Sequence, residues 1–282
     1  MQNINDSEFL MKPKNDYVFK RIFGDERNSD ILISFLESVL KIHIAKVHIL
    51  NSELPKINIS DKKSILDVRA TINDDTQIDI EIQVSRTIYM PERSLYYWSK
   101  MYCEQLNISE RYSRLQKTIC INIVDFEAAE KKGYHSIYKI KEIEDNYLLT
   151  DLLEIHFLEL PKLNRYTKDE TLYNWLKFIS GSSREEMVKV AKTDDKIDKA
   201  FDILETISLS KEERAAYLSR EMALHDEATR LDEAKEEGKI EGKVEGKEEV
   251  AINLLDILDD EIISIKTGIS IERVRELRRK RK

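Results

Sequence analysis

Two acidic side chains, Asp67 and Glu81, lie in neighbouring stretches that alternate apolar and polar residues. Such alternation predicts β-strands with one buried face. The polar run Asn73–Thr76 between the two stretches predicts a turn. If that turn is centred on Asp74, Asp67 falls opposite Glu81, and opposed side chains lie about 5 Å apart. Two carboxylates at that separation repel each other unless a proton or a divalent cation lies between them.

This pair of carboxylates predicts a metal site suited to phosphodiester hydrolysis. That reaction needs a divalent cation to neutralise charge and to lower the pKa of an attacking water. Mg²⁺, with Mn²⁺ as a substitute, prefers oxygen ligands, and Asp67, Glu81 and the backbone carbonyl of Ile82 can supply them. Gln83 lies two residues beyond Glu81, so its amide points to the same side and can orient water or phosphate. Asp79 shares that face, as an outer ligand or as a solvated side chain.

Other reactive positions are weaker candidates. The alternative to a metal site is an ordinary exposed polar face of an antiparallel hairpin. Glu37, on a predicted helix, could reach the metal from the side, and Asp16 is an alternative to it that helix capping explains at least as well. Four cations are candidates for phosphate contacts, against simple solvation: Lys20, Arg21, Arg93 and Lys100.

Composition narrows the class of protein. The chain of 282 residues has 46 basic and 54 acidic side chains, a net charge of −8, so nucleic-acid contact must rest on local basic patches. Cys103 and Cys120 lack metal-ligand spacing and predict buried free thiols in a reducing compartment. No signal peptide and no apolar run of about 20 residues is visible. We therefore expect a cytoplasmic protein without membrane contact.

The elements that must position the carboxylates follow from periodicity and capping signals. Helices are predicted at residues 17–23, 28–40 and 93–106, and strands at 47–50, 65–70, 78–83, 118–124 and 154–160. After Pro161 only helices are predicted, at residues 172–179, 185–191 and 196–206 and from about Ser210 onward. This order predicts an α/β or α+β sheet covered by helices and followed by a helical region.

The C-terminal part carries a repeat, Glu-Gly-Lys, three times within residues 237–248. Glycine inside a helix costs about 1 kcal/mol, and i, i+4 Glu–Lys pairs offset only a few tenths of that. The repeat predicts a marginal helix or a tether, or alternatively a seam between helices of two subunits. A helix, Gly268 and a second helix with a basic end follow, which either binds phosphate in the manner of a helix-turn-helix or forms a solvated cap.

Asp67, thirteen further residues and then Glu81-Ile82-Gln83 resemble the bipartite active-site motif of the PD-(D/E)XK nuclease superfamily, in its Glu-X-Gln variant. The segments around it look like the Rpn family of bacterial recombination-promoting nucleases, often labelled transposases. The Glu-Gly-Lys repeat is also similar to that family's C-terminal region. The segments that carry the resemblance within residues 11–126 are Lys14–Gly24, Leu66–Val68, Ile80–Gln83 and Arg93–Trp98.

The resemblance implies a restriction-endonuclease-like core with a mixed central sheet flanked by helices. It implies a Mg²⁺-dependent DNA endonuclease that promotes recombination or the transfer of mobile elements. Asp67, Glu81 and Gln83 carry over as catalytic residues, with Asp67, Glu81 and Ile82 as metal ligands. Most of the superfamily has Lys where this chain has Gln83, and a neutral amide supplies no positive charge. Activation of water must then rest more on the metal. The rival function is a DNA-binding or regulatory protein that has a nuclease fold but cleaves DNA weakly or not at all.

The predicted organisation has four parts: a nuclease-like domain at 1–165, a helical region at 166–236, the repeat tether at 237–249 and a basic tail at 250–282. DNA is the predicted partner. A homodimer is also expected, because one such site cuts one strand at a time.

Overall fold

The computed structural model describes residues 9–54, 64–165 and 170–280. The chain divides into two compact units, Met1–Glu221 and Met222–Lys282. The helices are α1 (Asp16–Phe23), α2 (Ser29–Leu40), α3 (Met90–Glu104), α4 (Glu170–Ser180), α5 (Arg184–Ala191), α6 (Asp195–Leu209), α7 (Lys211–Leu254), α8 (Asp260–Thr267) and α9 (Ile271–Lys280). The strands are β1 (Val47–Leu50), β2 (Glu53–Leu54), β3 (Ser64–Ile65), β4 (Val68–Ile72), β5 (Thr76–Gln83), β6 (Thr118–Val124), β7 (His135–Tyr138) and β8 (Leu153–Glu159). Within those described ranges no helix combines the length and the apolarity that a membrane span requires.

A mixed sheet forms the centre of the first unit, with its described strands in the order β1-β4-β5-β6-β8-β7. Strands β5, β6 and β8 run parallel, whereas β1, β4 and β5 pair antiparallel, as do β7 and β8. Parallel neighbours need a crossover connection, and α3 supplies it between β5 and β6. The predicted class of fold, a sheet with flanking helices and a helical C-terminal region, is confirmed.

The β4–β5 hairpin has the predicted register. Its Cα partners are Val68–Ile80, Arg69–Asp79, Ala70–Ile78, Thr71–Gln77 and Ile72–Thr76. The turn is therefore centred on Asp74, and Asn73 and Asp74 have φ angles of 48° and 68°. This left-handed pair is the backbone of a tight hairpin turn, and Asn and Asp tolerate it better than most residues. One step beyond the first strand pair, the register brings Asp67 beside Glu81.

Alternation along β5 separates the core from the polar face. Ile78, Ile80 and Ile82 are buried in the larger hydrophobic core, together with side chains of α1, α2, α4 and α6. Successive side chains of a strand point to opposite faces. The other set therefore lies on the face that α3 covers: Asp79, Glu81 and Gln83.

The helices after Pro161 share the core of the sheet. The Trp175 ring on α4 lies 5.7 Å from the ring centroid of Phe23 and 6.0 Å from that of Phe35. Trp175 and both phenylalanines are fully buried. The first unit therefore includes the packed helices α4 to α6 as well as the sheet.

Three details differ from the sequence-based expectations. The predicted strand 65–70 is split, since Ile65 ends β3, which pairs with β2, and β4 begins only at Val68. Strand β7 was not predicted, because its four residues are held by pairing with β8 rather than by a long alternating pattern. Cys103 is exposed, while Cys120 is buried as expected, because Cys103 lies on the outer side of α3.

In the second unit, α7 continues as a helix through the Glu-Gly-Lys repeat. A Cβ added at Gly238, Gly242 or Gly246 would meet no described atom within 4 Å. The glycines therefore do not mark a close approach to any described part of the chain.

The helix–turn–helix at the C-terminus has a small core of its own. Gly268 has a φ of 68° and ends α8, a conformation that glycine adopts without a steric penalty. Arg278 donates to Leu255 O at 2.5 Å, to Leu258 O at 2.9 Å and to Asp260 at 2.7 Å. This basic residue therefore stabilises the turn. The core consists of Ala251, Leu255, Ile263, Val274 and Leu277.

Candidate active site

Asp67 and Glu81 are held side by side by hydrogen bonds that cross between the two strands. The Asp67 backbone N–H donates to Glu81 Oε1 at 3.1 Å, and Asp67 Oδ2 accepts from the Ile82 N–H at 2.8 Å. Asp67 lies in a bend directly before β4, so β4 leaves this part of β5 unpaired on that side. The N–H and C=O of one strand residue point to the same side, so the Ile82 carbonyl also faces Asp67.

Two cations from different helices contact the carboxylates. Lys20 Nζ of α1 lies 3.0 Å from Asp67 Oδ1. Arg93 of α3 donates to Glu81 Oε2 at 2.8 Å and to Gln83 Oε1 at 2.9 Å. Two such N–H···O contacts from one guanidinium fix its orientation more firmly than a single point charge would.

The amide of Gln83 is held on both sides. Its Oε1 accepts from Arg93, and its Nε2 donates to Ser85 O at 3.0 Å. The oxygen of an amide has two lone pairs, so one acceptor position remains. The neutral amide at the end of β5 is therefore next to a guanidinium.

Helix α3 is anchored on the sheet beside this pair. Ser94 Oγ lies 2.9 Å from Asn122 Oδ1, and Asn122 Nδ2 donates to His156 O at 3.1 Å. Asn122 is the β6 residue that pairs with Glu81. Since Ser94 follows Arg93 directly, this contact sets the position of the guanidinium above Glu81.

Asp79 adds a third carboxylate to the cluster. It is 1% exposed, and its Oδ1 has no hydrogen-bond partner among the described residues. Arg69, its partner across the strands, pairs with Glu104 at 3.0 Å instead. A buried acceptor without a partner costs about 1–3 kcal/mol, so this part of the cluster lacks a positive group.

The pKa values of the carboxylates reflect the same shortage of positive charge. Burial, followed by the nearby Asp67, raises the pKa of Glu81 to about 7, against the opposing effect of Arg93. Burial also raises the pKa of Asp67, although Lys20 opposes it. The pKa of Asp79 is well above its usual range because of burial and then the charges of Glu81 and Asp67.

These donors fit a hard divalent cation. Asp67, Glu81 and the Ile82 carbonyl offer oxygen atoms, which Mg²⁺ and Mn²⁺ prefer over nitrogen or sulfur. The partnerless oxygen of Asp79 and the raised pKa values favour an added positive charge. Within the described ranges no three Asp, Glu, His or Cys side chains converge on a metal by themselves. A cation here would therefore use two carboxylates, backbone and water, as Mg²⁺ commonly does.

Glu37 is not brought to this site. Its carboxylate accepts from Ile44 N at 2.8 Å and lies 3.0 Å from His43 Nδ1. The His43 carbonyl accepts from Asn73 in the hairpin turn, and Asn73 is six strand residues from Asp67, roughly 20 Å. The expectation that Glu37 reaches the metal is wrong, because α2 ends beside the turn of the hairpin and not beside its open end.

The remaining candidates have separate places. Arg21 pairs with Glu213 of α7 at 2.5 Å, and Lys100 Nζ lies 5.1 Å from the ring centroid of Tyr96. Asn15, not Asp16, caps α1 by accepting from Tyr17 N. Asp16 pairs with Arg220 at 2.8 Å, yet it lies close enough to Asp67 to raise the pKa of that residue.

Sequence patterns did not identify the roles of Lys20 and Arg93 beside the carboxylates. Both were predicted only as phosphate contacts. Their positions depend on where α1 and α3 pack on the sheet, and local periodicity carries no information about that packing. Sequence patterns did not predict the burial of Asp79 either, because that burial requires α3 to pack over the polar face of β5.

One comparison with known proteins identifies a family. A family model described as PD-(D/E)XK nuclease family transposase matches residues 13–234 of the chain. Neither the curated proteins nor the solved structures include a significant match. The matched range contains both carboxylates, Lys20, Gln83 and Arg93.

Proposed function

The chain belongs to the PD-(D/E)XK nuclease family transposases, and from this premise we propose that it is a Mg²⁺-dependent DNA endonuclease. It hydrolyses phosphodiester bonds and thereby promotes recombination or the transfer of mobile elements. The observation that carries the proposal is that Asp67 is held beside Glu81 in a buried cluster, by hydrogen bonds from the Asp67 N–H to Glu81 Oε1 and from the Ile82 N–H to Asp67 Oδ2. That cluster holds three carboxylates against two cations, so it favours a divalent ion.

The proposed roles follow from these contacts. Asp67, Glu81 and the Ile82 carbonyl hold the cation, and Mg²⁺ bound there would lower the pKa of a water and neutralise charge on the phosphate. Lys20, which lies beside Asp67 Oδ1, contacts the scissile phosphate. Arg93 provides the positive charge that the neutral Gln83 cannot. Gln83 orients Arg93 and uses its remaining acceptor position for the attacking water.

Cleavage of supercoiled plasmid DNA tests this function. The wild type should nick the plasmid with Mg²⁺ or Mn²⁺ but not with EDTA. Asp67→Asn and Glu81→Gln keep the size of each side chain but remove a charge that holds the cation, so each should reduce the rate by at least about a hundredfold. Glu37→Gln is the matched control, since it neutralises a carboxylate outside the site and should leave the rate unchanged.

Two results would contradict the proposal. Cleavage that survives both site substitutions would mean that the active site lies elsewhere or that a contaminating nuclease acts. Absence of cleavage by folded wild type with every divalent metal would support the second candidate, a DNA-binding protein of nuclease fold. The observation that favours this second candidate is that Lys20 and Arg93 already pair with both carboxylates, while the usual Lys is replaced by Gln83. DNA binding by such an inactive protein in a gel-shift assay would establish this second candidate.

A further inference from the structure

A polar cavity opens in the first unit, apart from the carboxylate cluster. Its volume is about 350 Å³. Three lysines and three neutral polar residues supply most of its polar lining: Lys12, Lys14, Lys177, Asn164, Ser180 and Ser182. We call this cavity the lysine cleft. Among the described residues that line it, the three lysines face one carboxylate, that of Asp125, so the lining carries a charge of about +2 in a chain whose net charge is −8.

The backbone around the lysine cleft is closely packed. Gly181, directly after α4, has a φ of +57°, and a Cβ there would lie only 2.9 Å from Pro13 Cδ. Only glycine fits this combination of left-handed backbone and close approach. The contact fixes the segment with Lys12 and Lys14 against the end of α4, which carries Lys177.

Two of the lysines are oriented by neighbours that leave part of each ammonium group available. Lys14 Nζ lies 2.6 Å from Asp125 Oδ2, and both side chains are about a quarter exposed. Lys177 Nζ donates to Asn164 Oδ1 at 2.9 Å and lies 3.9 Å from Glu186 Oε2. An ammonium group has three donors, so these contacts position Lys14 and Lys177 without using all their hydrogen-bonding capacity.

The lysine cleft shares two elements with the carboxylate cluster. The Asp125 N–H, directly after β6, donates to Gln83 O at 3.0 Å. Lys14 precedes α1, and Lys20 on the same helix contacts Asp67. Lys14 lies two residues before α1 begins at Asp16, and the six residues from Lys14 to Lys20 span at most roughly 20 Å, so one DNA strand can contact both places.

We propose that the lysine cleft binds backbone phosphates of the DNA strand a few nucleotides from the bond that the carboxylate cluster cleaves. Lysine ammonium groups bind phosphates as point charges, without reading bases. The Nδ2 group of Asn164 is a further phosphate donor of the kind found along nucleic-acid backbones, since only its Oδ1 is used by Lys177. Ser180 Oγ donates to Lys177 O at 2.8 Å and lies 3.0 Å from Ser182 Oγ, so these hydroxyls hold the cleft in shape. The cleft thereby gives an acidic protein a local site for a polyanion. This inference rests on the proposed function for its choice of DNA as the ligand.

The test compares two triple variants that change the net charge equally. The first is Lys12→Gln, Lys14→Gln and Lys177→Gln. The control carries the same changes at exposed lysines outside the cleft: Lys132→Gln, Lys189→Gln and Lys192→Gln. Binding of a fluorescein-labelled 20-base-pair duplex is measured by anisotropy in EDTA between 50 and 200 mM salt, together with plasmid cleavage in Mg²⁺ and circular dichroism.

The cleft variant should bind at least tenfold more weakly than the control at 100 mM salt. Each lost phosphate contact lowers the slope of log affinity against log salt by about 0.9 on duplex DNA, so the slope should fall by about 2 to 3. The single variant Lys12→Gln, at an exposed position, should lower it by about 1 and provides the readout if the triple variant does not fold.

The outcomes separate the cleft from the proposed function. Equal DNA affinity of the cleft and control variants would contradict phosphate binding by the lysine cleft. Cleavage by the wild type in the same experiment would still support the nuclease function. DNA binding that is weakened in the cleft variant, without cleavage in any divalent metal, would support phosphate binding by the lysine cleft and contradict the nuclease function. Absence of DNA binding by the folded wild type would contradict phosphate binding by the lysine cleft, whatever the cleavage assay shows.

Discussion

At the scale of single residues, Arg93 is the most informative side chain of the site. It contacts both Glu81 and Gln83 and lies 5.2 Å from the ring centroid of Tyr97. The neutral Gln83 would leave the end of β5 without positive charge, and Arg93 brings a guanidinium to that place from another element. A motif search along the strand alone does not detect this exchange of charge.

Removal of Arg93 should impair cleavage more than a change that preserves its charge. We expect Arg93→Ala to lower the single-turnover cleavage rate by about 10²–10³-fold, the usual effect of deleting one preorganised donor. The cleavage rate of Arg93→Lys should lie between those of the wild type and Arg93→Ala, since Lys keeps the charge but cannot contact Glu81 and Gln83 together.

A second substitution tests whether charge is the reason. Gln83→Lys should restore part of the rate in the Arg93→Ala protein, because it returns a cation to the end of β5. In the wild-type protein the same change should not raise the rate, since two cations would then be neighbours. A wild-type rate that increased with Gln83→Lys would show that Arg93 does not substitute for the missing Lys.

Asp79 is a residue whose removal should stabilise the protein. Asp79→Asn deletes a buried charge without a partner on Oδ1, and about 1 kcal/mol shifts Tm by about 2–4 °C in a domain of this size. We expect the metal-free protein to melt a few degrees higher by calorimetry. Asp202→Asn, at an exposed position of α6, is the control and should leave Tm unchanged. A lower Tm for Asp79→Asn would mean that the carboxylate makes stabilising contacts that its amide cannot.

At the scale of elements, the alternating pattern predicted most of the sheet, because one face of β5 is apolar and the other is polar. The register followed from the turn residues, since Asn73 and Asp74 suit left-handed backbone. Local patterns failed for β7 and for the β2–β3 pairing, whose short strands depend on partners distant in sequence. They failed for Glu37 as well, because helix periodicity does not state at which end of a hairpin a helix ends.

Strands β7 and β8 share a network of charged side chains. His156 Nε2 lies 2.7 Å from Glu154 Oε1, and Lys117 and Lys139 lie 2.8 and 2.9 Å from Glu154 Oε2. His135 Nε2 lies 2.8 Å from the Nδ1 atom of His156. Burial alone would raise the pKa of Glu154, but these hydrogen bonds together hold it well below its usual range.

This network should make the first unit sensitive to acid. A carboxylate with a lowered pKa contributes stability that is present above its unfolded pKa, about 4.3, and is lost as the pH falls below that value. Urea denaturation at pH 7 and pH 3 should therefore show a larger loss of stability for the wild type than for Glu154→Gln. At pH 7 that variant should be the less stable of the two, by about 2 kcal/mol, since hydrogen bonds to charged groups contribute about 1.5–3 kcal/mol. Equal pH dependence in both proteins would show that Glu154 is not responsible.

At the scale of the whole molecule, the family model spans residues 13–234, and so includes the sheet, the helices α4 to α6 and the start of α7. The hydrophobic core explains this extent, because Trp175 and the helices after it pack with Phe23 and Phe35 of the N-terminal helices. Separate patterns predicted the helices themselves. Their membership in one core depends on contacts across more than 130 residues, which no local pattern encodes.

The proposed nuclease function has a consequence for the products of cleavage. A chain that acts through the Asp67–Glu81 site would cut one strand at a time, so we expect nicked circles to accumulate before linear plasmid at protein concentrations where the chain sediments as a monomer. Linear product should form without a nicked intermediate only if two chains act together. Agarose gels over a concentration series, paired with sedimentation velocity, measure this. Direct linear product from a monomer would contradict the one-site view.

Ile82 connects the site to the core in a way that affects how the protein tolerates change. Its side chain is buried among the helices of the larger core, while its N–H contacts Asp67 on the open edge of β5. The chemistry at this residue depends on its main chain, and its identity is set by the space on the other side of the sheet. Val or Leu at position 82 should therefore preserve the N–H that Asp67 accepts from and the proposed carbonyl ligand, and disturb only packing. The two demands act on different parts of one residue, so the interior can vary in sequence while the reactive edge keeps its geometry.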